Sequence, residues 1–149
     1  MGYQLIYNSS FKDIDENTIN IEIYRDSGGT LIASELLCSA DAVSINYESD
    51  DDVFKPTKCS DCQINVLTTK VLANLYTALG NQIYCTISKN GSLLWCGYSV
   101  PCLYSTDYNE EYNLLSLQFN DILSSLSNYN YTYLNEKQSI VPFYQVIKH

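Results

Sequence analysis

Apolar and polar residues alternate with a period of two over much of this chain, which is the pattern of half-buried strands. The clearest case lies around Asn90-Gly91. Residues 82–88 and 93–99 alternate on either side of that dipeptide, and Asn-Gly supplies the two positive-φ positions of a tight hairpin turn. Counting outward from the turn pairs Lys89 with Ser92, Ile87 with Leu94, Cys85 with Cys96 and Ile83 with Tyr98. The expected inner face is therefore Ile83, Cys85, Ile87, Leu94, Cys96 and Tyr98. Trp95 falls on the opposite face, against a second sheet of the same domain or a neighbouring subunit.

The same periodicity predicts strands at 3–7, 18–25, 30–33, 36–39, 42–47, 62–67, 112–119 and 129–134. Ile19, Ile21 and Ile23 share one side of their strand, as do Val43, Ile45 and Tyr47. Asp26-Ser27-Gly28-Gly29 is turn chemistry, so 18–33 reads as a second hairpin. Val71, Leu72, Leu75 and Leu79 lie near helical spacing with Gly80 as a stop, which predicts a short helix within 68–79. Residues 122–126 read as a helical turn. No strand–helix–strand alternation occurs, so nothing calls for a parallel sheet. The expected fold is mainly all-β: an antiparallel barrel or sandwich with one short helix and a short C-terminal helical segment.

One domain is expected over 1–139, followed at 140–149 by a new segment. Pro142 suits a first helical turn, and Phe143, Val146 and Ile147 suit its apolar face. That segment either docks on the domain or opens a second one. The apolar content of 46% argues against disorder. No stretch approaches the roughly 18 apolar residues of a helical span, and no basic-then-apolar leader follows Met1, so synthesis in the cytoplasm is expected.

Charge narrows the partners. The net charge is −9, and 12 of the 17 carboxylates precede residue 62. Binding to nucleic-acid phosphates needs clustered Lys and Arg, so it is disfavoured. The 14 tyrosines fit either ordinary sheet packing or a protein interface, because the ring buries while the hydroxyl stays wet.

Candidate chemistry is sparse. Cys59-Ser60-Asp61-Cys62 is a C-x-x-C, but the chain has no second such pair and its only histidine is His149, so zinc is disfavoured. Cys85 and Cys96, if directly opposite, would have Cα atoms about 5.5 Å apart, a separation that permits a bridge. Free thiols are the favoured state of all six cysteines. Asp50-Asp51-Asp52 lacks the spacing of a calcium loop. No nucleophile–His pair and no phosphate-binding glycine loop is present. No catalytic residue, cofactor or metal is assigned, and an enzyme is not expected.

The run Gly91-Ser92-Leu93-Leu94-Trp95-Cys96-Gly97-Tyr98-Ser99-Val100-Pro101, then Tyr104, Tyr108, and the strand from Leu115 to Asp121-Ile122-Leu123-Ser124-Ser125-Leu126, is informative as a whole. It resembles the first domain of tail hub or distal tail (baseplate) proteins of tailed phages and prophages of Bacteroidetes-type gut bacteria. There a hairpin ending in L-x-W-x-G-x-x-x-P precedes a strand ending in D-x-L-x-x-L. The resemblance implies a β-barrel that forms homo-oligomeric rings, assembles in the host cytoplasm and resides in the virion tail. The ring would join the tail tube or portal side to tip and fibres. It carries no ligand or catalytic residue. Trp95, Tyr98, Pro101, Tyr104, Tyr108 and Asp121 become structural or interface candidates. A carbohydrate- or peptide-binding β-sandwich is the alternative, for which tyrosine-rich surfaces and acidic loops are suited.

Overall fold

A computed structural model describes residues 2–29, 31–47, 59–70, 72–77, 79–100 and 113–125. Among the described residues are eight strands: β1 Tyr3–Lys12, β2 Thr18–Asp26, β3 Ser34–Glu35, β4 Leu37–Tyr47, β5 Ser60–Thr68, β6 Ile83–Lys89, β7 Ser92–Ser99 and β8 Asn113–Asp121. A 3-10 turn spans Ala73–Leu75, and the short helix α1 spans Ile122–Ser125. The expected strands at 129–134 and the segment 140–149, with its proposed domain boundary, lie outside the described residues.

The fold is mainly β. The strands form one open sheet in the order β3-β1-β2-β6-β7-β8-β5-β4. All neighbours are antiparallel except β1 and β3, which pair in parallel at Tyr7 and Asn8. That short parallel pair departs from the purely antiparallel expectation.

The alternation read from the sequence places the core. Ile19, Ile21 and Ile23 of β2 and Ile83, Cys85 and Ile87 of β6 point inward from one half of the sheet. Cys62, Ile64 and Val66 of β5 and Leu115, Leu117 and Phe119 of β8 point inward from the other. All twelve belong to one apolar cluster, so the two halves of the sheet face each other. Each isoleucine or leucine fully removed from water contributes on the order of 1.5–3 kcal/mol before the entropy of ordering is subtracted.

The Asn90-Gly91 turn is as expected. Both residues have positive φ, 51° and 81°, and Lys89 pairs with Ser92. Asn90 anchors the turn to the β1–β2 connection: its N–H donates to the Thr18 carbonyl at 2.8 Å, and its Oδ1 accepts from the Thr18 N–H at 2.9 Å. Asp13, which accepts from the N–H groups of Asp15 and Asn17, also pairs with Lys89 at 3.2 Å.

Beyond that turn the expected register fails. Ser88 pairs with Leu93, but Ile87 pairs with Trp95, so Leu94 is an extra residue on β7. A bulge of one residue exchanges the two faces of a strand. Trp95, Gly97 and Ser99 therefore point inward and are buried, while Leu94 is 49% exposed and Cys96 and Tyr98 face outward. Cys85 stands opposite Gly97 and Cys96 opposite Thr86. The two thiols lie on opposite faces of the hairpin, not across from each other. The bulge trades the burial of one leucine for that of an indole, which removes more apolar surface from water.

Two further expectations are corrected. Residues 18–33 are not a hairpin: β2 lies between β1 and β6, and β3 pairs with β1. Among the described residues of 68–79, the 3-10 turn Ala73–Leu75 stands where a helix was expected. Thr68 Oγ1 accepts from Lys70 N–H and donates to its carbonyl, and Thr77 Oγ1 bonds with Leu79 and Gln82. Such local side-chain bonds offer the backbone an alternative to the helical ladder. Leu75 is buried nonetheless, and Arg25 Nη1 holds the turn by donating to the Asn74 carbonyl at 2.7 Å.

Cys38, Cys59, Cys62, Cys85 and Cys96 are free thiols. Burial, with the Asp61 charge adding, pushes the Cys62 thiol up to about 12. Burial also raises Cys85 well above its ordinary value. Titration with a disulfide reagent at pH 8 should therefore leave Cys62 and Cys85 unreacted in the native protein, and denaturant should release all six thiols of the chain. Fewer than six in denaturant, without reductant, would contradict the free-thiol assignment.

Candidate functional site

The sheet turns between its halves at β7 and β8, and this is where the residues of the sequence motif meet. The two strands pair at only three positions: Gly97 with Asp121, Tyr98 with Asn120 and Ser99 with Phe119. Gly97 makes that approach possible. A Cβ there would stand 2.1 Å from the Asn120 carbonyl oxygen and 2.4 Å from the Trp95 ring. The indole, 5% exposed, lies across this corner.

Polar groups close the same corner. Trp95 Nε1 donates to Ser60 Oγ at 3.0 Å. Ser60 in turn donates to Asp121 Oδ2 twice, from its N–H at 2.6 Å and from its hydroxyl at 3.0 Å. Asp121 Oδ1 accepts from the Ser124 N–H at 2.6 Å, which makes Asp121 the N-cap of α1. One carboxylate thus links β5, β8 and α1, with β7 attached through the indole. Burial by itself would raise the Asp121 carboxyl, but hydrogen bonds from Ser124 and Ser60 outweigh it and hold the group below its ordinary value.

Among the sequence candidates, Trp95 and Asp121 come together here. Tyr98 does not: it lies on the outer face. Pro101, Tyr104 and Tyr108 lie outside the described residues, as do Asp50, Asp51, Asp52 and Cys102. Sequence reasoning missed Ser60, because it sits inside a C-x-x-C that draws attention to its cysteines. The W-x-G spacing was the available signal for Gly97. Trp95 and Gly97 point inward only because of the bulge at Leu94.

Tyr98 belongs to a second feature. Tyr24, Tyr84 and Tyr98 lie in register across β2, β6 and β7. Their rings stand 6.3 and 5.3 Å apart, and Tyr3 adds a fourth ring 5.8 Å from Tyr84. The rings are tilted to one another by 41–53°. Tyr24 Oη donates to Glu22 Oε2 at 2.9 Å, and Tyr3 Oη donates to the Asn81 carbonyl at 2.6 Å. Burial, then the neighbouring Cys96, raises the Tyr84 phenol above its ordinary value. The face is aromatic, carries the Glu22 carboxylate beside Tyr24, and is ordered by ring–ring contact. Such a surface suits contact with another molecule.

A third feature is a groove of about 1020 Å³ between β1 and β4. Phe11, Ile19, Val43, Ile45 and Ile87 are among the apolar residues that line it. Its β4 wall is a wide bulge. Pairing with β5 steps from Cys38–Val66 to Val43–Ile64, leaving residues 39–42 opposite Asn65 alone. Asn65 Nδ2 holds the bulge by donating to the Asp41 carbonyl at 2.8 Å, and Asn65 Oδ1 accepts from Ser116 Oγ at 2.6 Å and Gln63 Nε2 at 3.0 Å.

No group of three or more potential metal ligands occurs among the described residues, and none of their helices is long and apolar enough to cross a membrane. No protein-family model matches the sequence, and comparisons with curated proteins and with solved structures found no match.

Two measurements test the corner. Gly97→Ala should lose about 2–3 kcal/mol in urea unfolding, because the obstructing atom is backbone and cannot swing away. Gly28→Ala, with nothing within 4 Å, should stay within roughly 0.5 kcal/mol. Asp121 has a depressed native pKa, so its stabilisation is full above the unfolded value of about 3.9 and is lost as pH falls from there through the native value. The stability gap between wild type and Asp121→Asn should thus be open at pH 7 and narrow at pH 3. A gap that widened in acid would contradict the hydrogen-bond assignment.

Proposed function

We propose that this protein works by contact: it is a structural component of a phage tail hub or baseplate. In this reading copies of the chain form a ring that joins the tail tube or portal side to tip and fibres. Assembly takes place in the bacterial host cytoplasm, and the product resides in the virion. The observation that carries the reading is the convergence of Trp95, Gly97 and Asp121 at one corner of the sheet. These are motif positions on which the resemblance to tail hub domains rests, and their common work in the fold supports it.

The surface is suited to such a role. Leu37, Leu67 and Leu114 are neighbours in register across β4, β5 and β8 on the outer face, with Leu37 and Leu114 59% and 62% exposed. The tyrosine face lies on the other half of the sheet. A symmetric ring of one chain uses two different surfaces of each copy, head to tail. Two separated apolar faces provide that.

The tyrosine face also favours the alternative, a carbohydrate- or peptide-binding module, because aromatic rings beside Glu22 can stack on sugars while the carboxylate accepts from hydroxyls. Mass measurement by light scattering after gel filtration separates the two, together with negative-stain images of the same fractions. The ring reading predicts a closed oligomer with a defined subunit number. A monomer at all accessible concentrations, with glycan-array signal lost on Tyr84→Ala, would establish the alternative instead.

A further inference from the structure

The groove between β1 and β4 is a gap in an otherwise continuous sheet. Along β1, only Tyr7 and Asn8 pair with β3, and Leu36 N–H adds one bond to the Asn8 carbonyl at 2.8 Å. Cys38 Sγ then touches Ser9 Oγ at 3.4 Å, and beyond that point the two strands diverge around the groove. Among the described residues, 9–12 of β1 pair on one side only, with β2, and β4 pairs on one side only, with β5. Two strand edges with backbone donors and acceptors therefore flank an apolar floor.

Strand direction specifies what fits. With the two-residue β3 set aside, seven strands run alternately up and down from β1 to β4. An odd number leaves both ends pointing the same way, so the gap cannot close antiparallel by direct pairing. One more extended segment, running opposite to both β1 and β4, would complete an eight-stranded antiparallel barrel and satisfy both edges. Its alternate side chains would meet the apolar floor. The rim already carries Lys12, Asp13, Glu35, Asp41 and Lys89, so an uncharged strand is accommodated without a new unpaired charge.

The chain carries such a sequence outside the described residues: Tyr129-Asn130-Tyr131-Thr132-Tyr133-Leu134, which alternates and has neither charge nor proline. We propose that residues 129–134 of a second copy enter the groove as an extended strand, antiparallel to β1 and β4, and that this donation links neighbours head to tail. The inference rests on the ring reading above and gives it a joint.

The test uses two variants of the full chain. Leu94→Arg places a charge at the groove from a half-exposed position, leaving the donor intact. Tyr131→Pro removes a backbone donor from the donated segment, leaving the groove intact. Each alone should elute as a folded monomer, with a cooperative melting transition. Mixed in equal amounts they should give a one-to-one dimer and nothing larger, since one intact groove meets one intact donor. If Leu94→Arg unfolds the protein, Ala40→Arg on the exposed bulge serves in its place. Wild-type protein that is itself monomeric overturns the ring reading, and this inference with it. Wild-type assembly that persists in either variant, or variants that stay monomeric when mixed, overturns strand donation alone.

Discussion

One close approach sets the shape of this molecule. β7 and β8 can meet at Gly97 because no side chain stands between Gly97 and the Asn120 carbonyl. From that meeting follow the turn of the sheet, the facing of its two halves and the shared core of β2, β6, β5 and β8. The indole of Trp95 covers the corner, and its N–H is satisfied by Ser60, which is in turn held by Asp121. A buried donor without a partner costs on the order of 1–3 kcal/mol, so the polar chain is what allows the largest apolar side chain to sit at the crowded point.

Much of the fold is legible from period-two alternation, and the reason is physical. Ile19, Ile21, Ile23, Ile64 and Val66 each face the core because a strand with one wet face has no other way to bury them. The Asn90-Gly91 turn is legible because few residue pairs adopt its backbone angles. The face of Trp95 was not legible. Counting from the turn assumes an unbroken ladder, and one extra residue at Leu94 inverts everything after it. A bulge has no local sequence requirement strong enough to announce it. What favours it here is remote: the fit of Gly97 against β8 and of the indole against Ser60.

The failures elsewhere share that character. Residues 68–79 have helical spacing of their leucines, yet Thr68 and Thr77 bind their own neighbours. The pairing of β3 with β1 depends on Leu36, which is buried and is the one residue between β3 and β4. It brings the two ends of the sheet within one residue of each other along the chain. The groove arises because the wide bulge at 39–42 then carries β4 away from β1. Candidate contact surfaces thus follow from irregularities, the tyrosine face included, since Tyr98 joins Tyr84 outside only through the Leu94 bulge.

Because the chain has a single tryptophan, the corner can be read directly. The measurement is the hydrogen-exchange rate of the indole N–H by NMR, together with its nuclear Overhauser contacts. An inward Trp95 predicts strong protection of that one proton and contacts to Ser60. An indole proton that exchanges at the rate of a free side chain, with no contact to Ser60, would place Trp95 on the outer face and contradict the account.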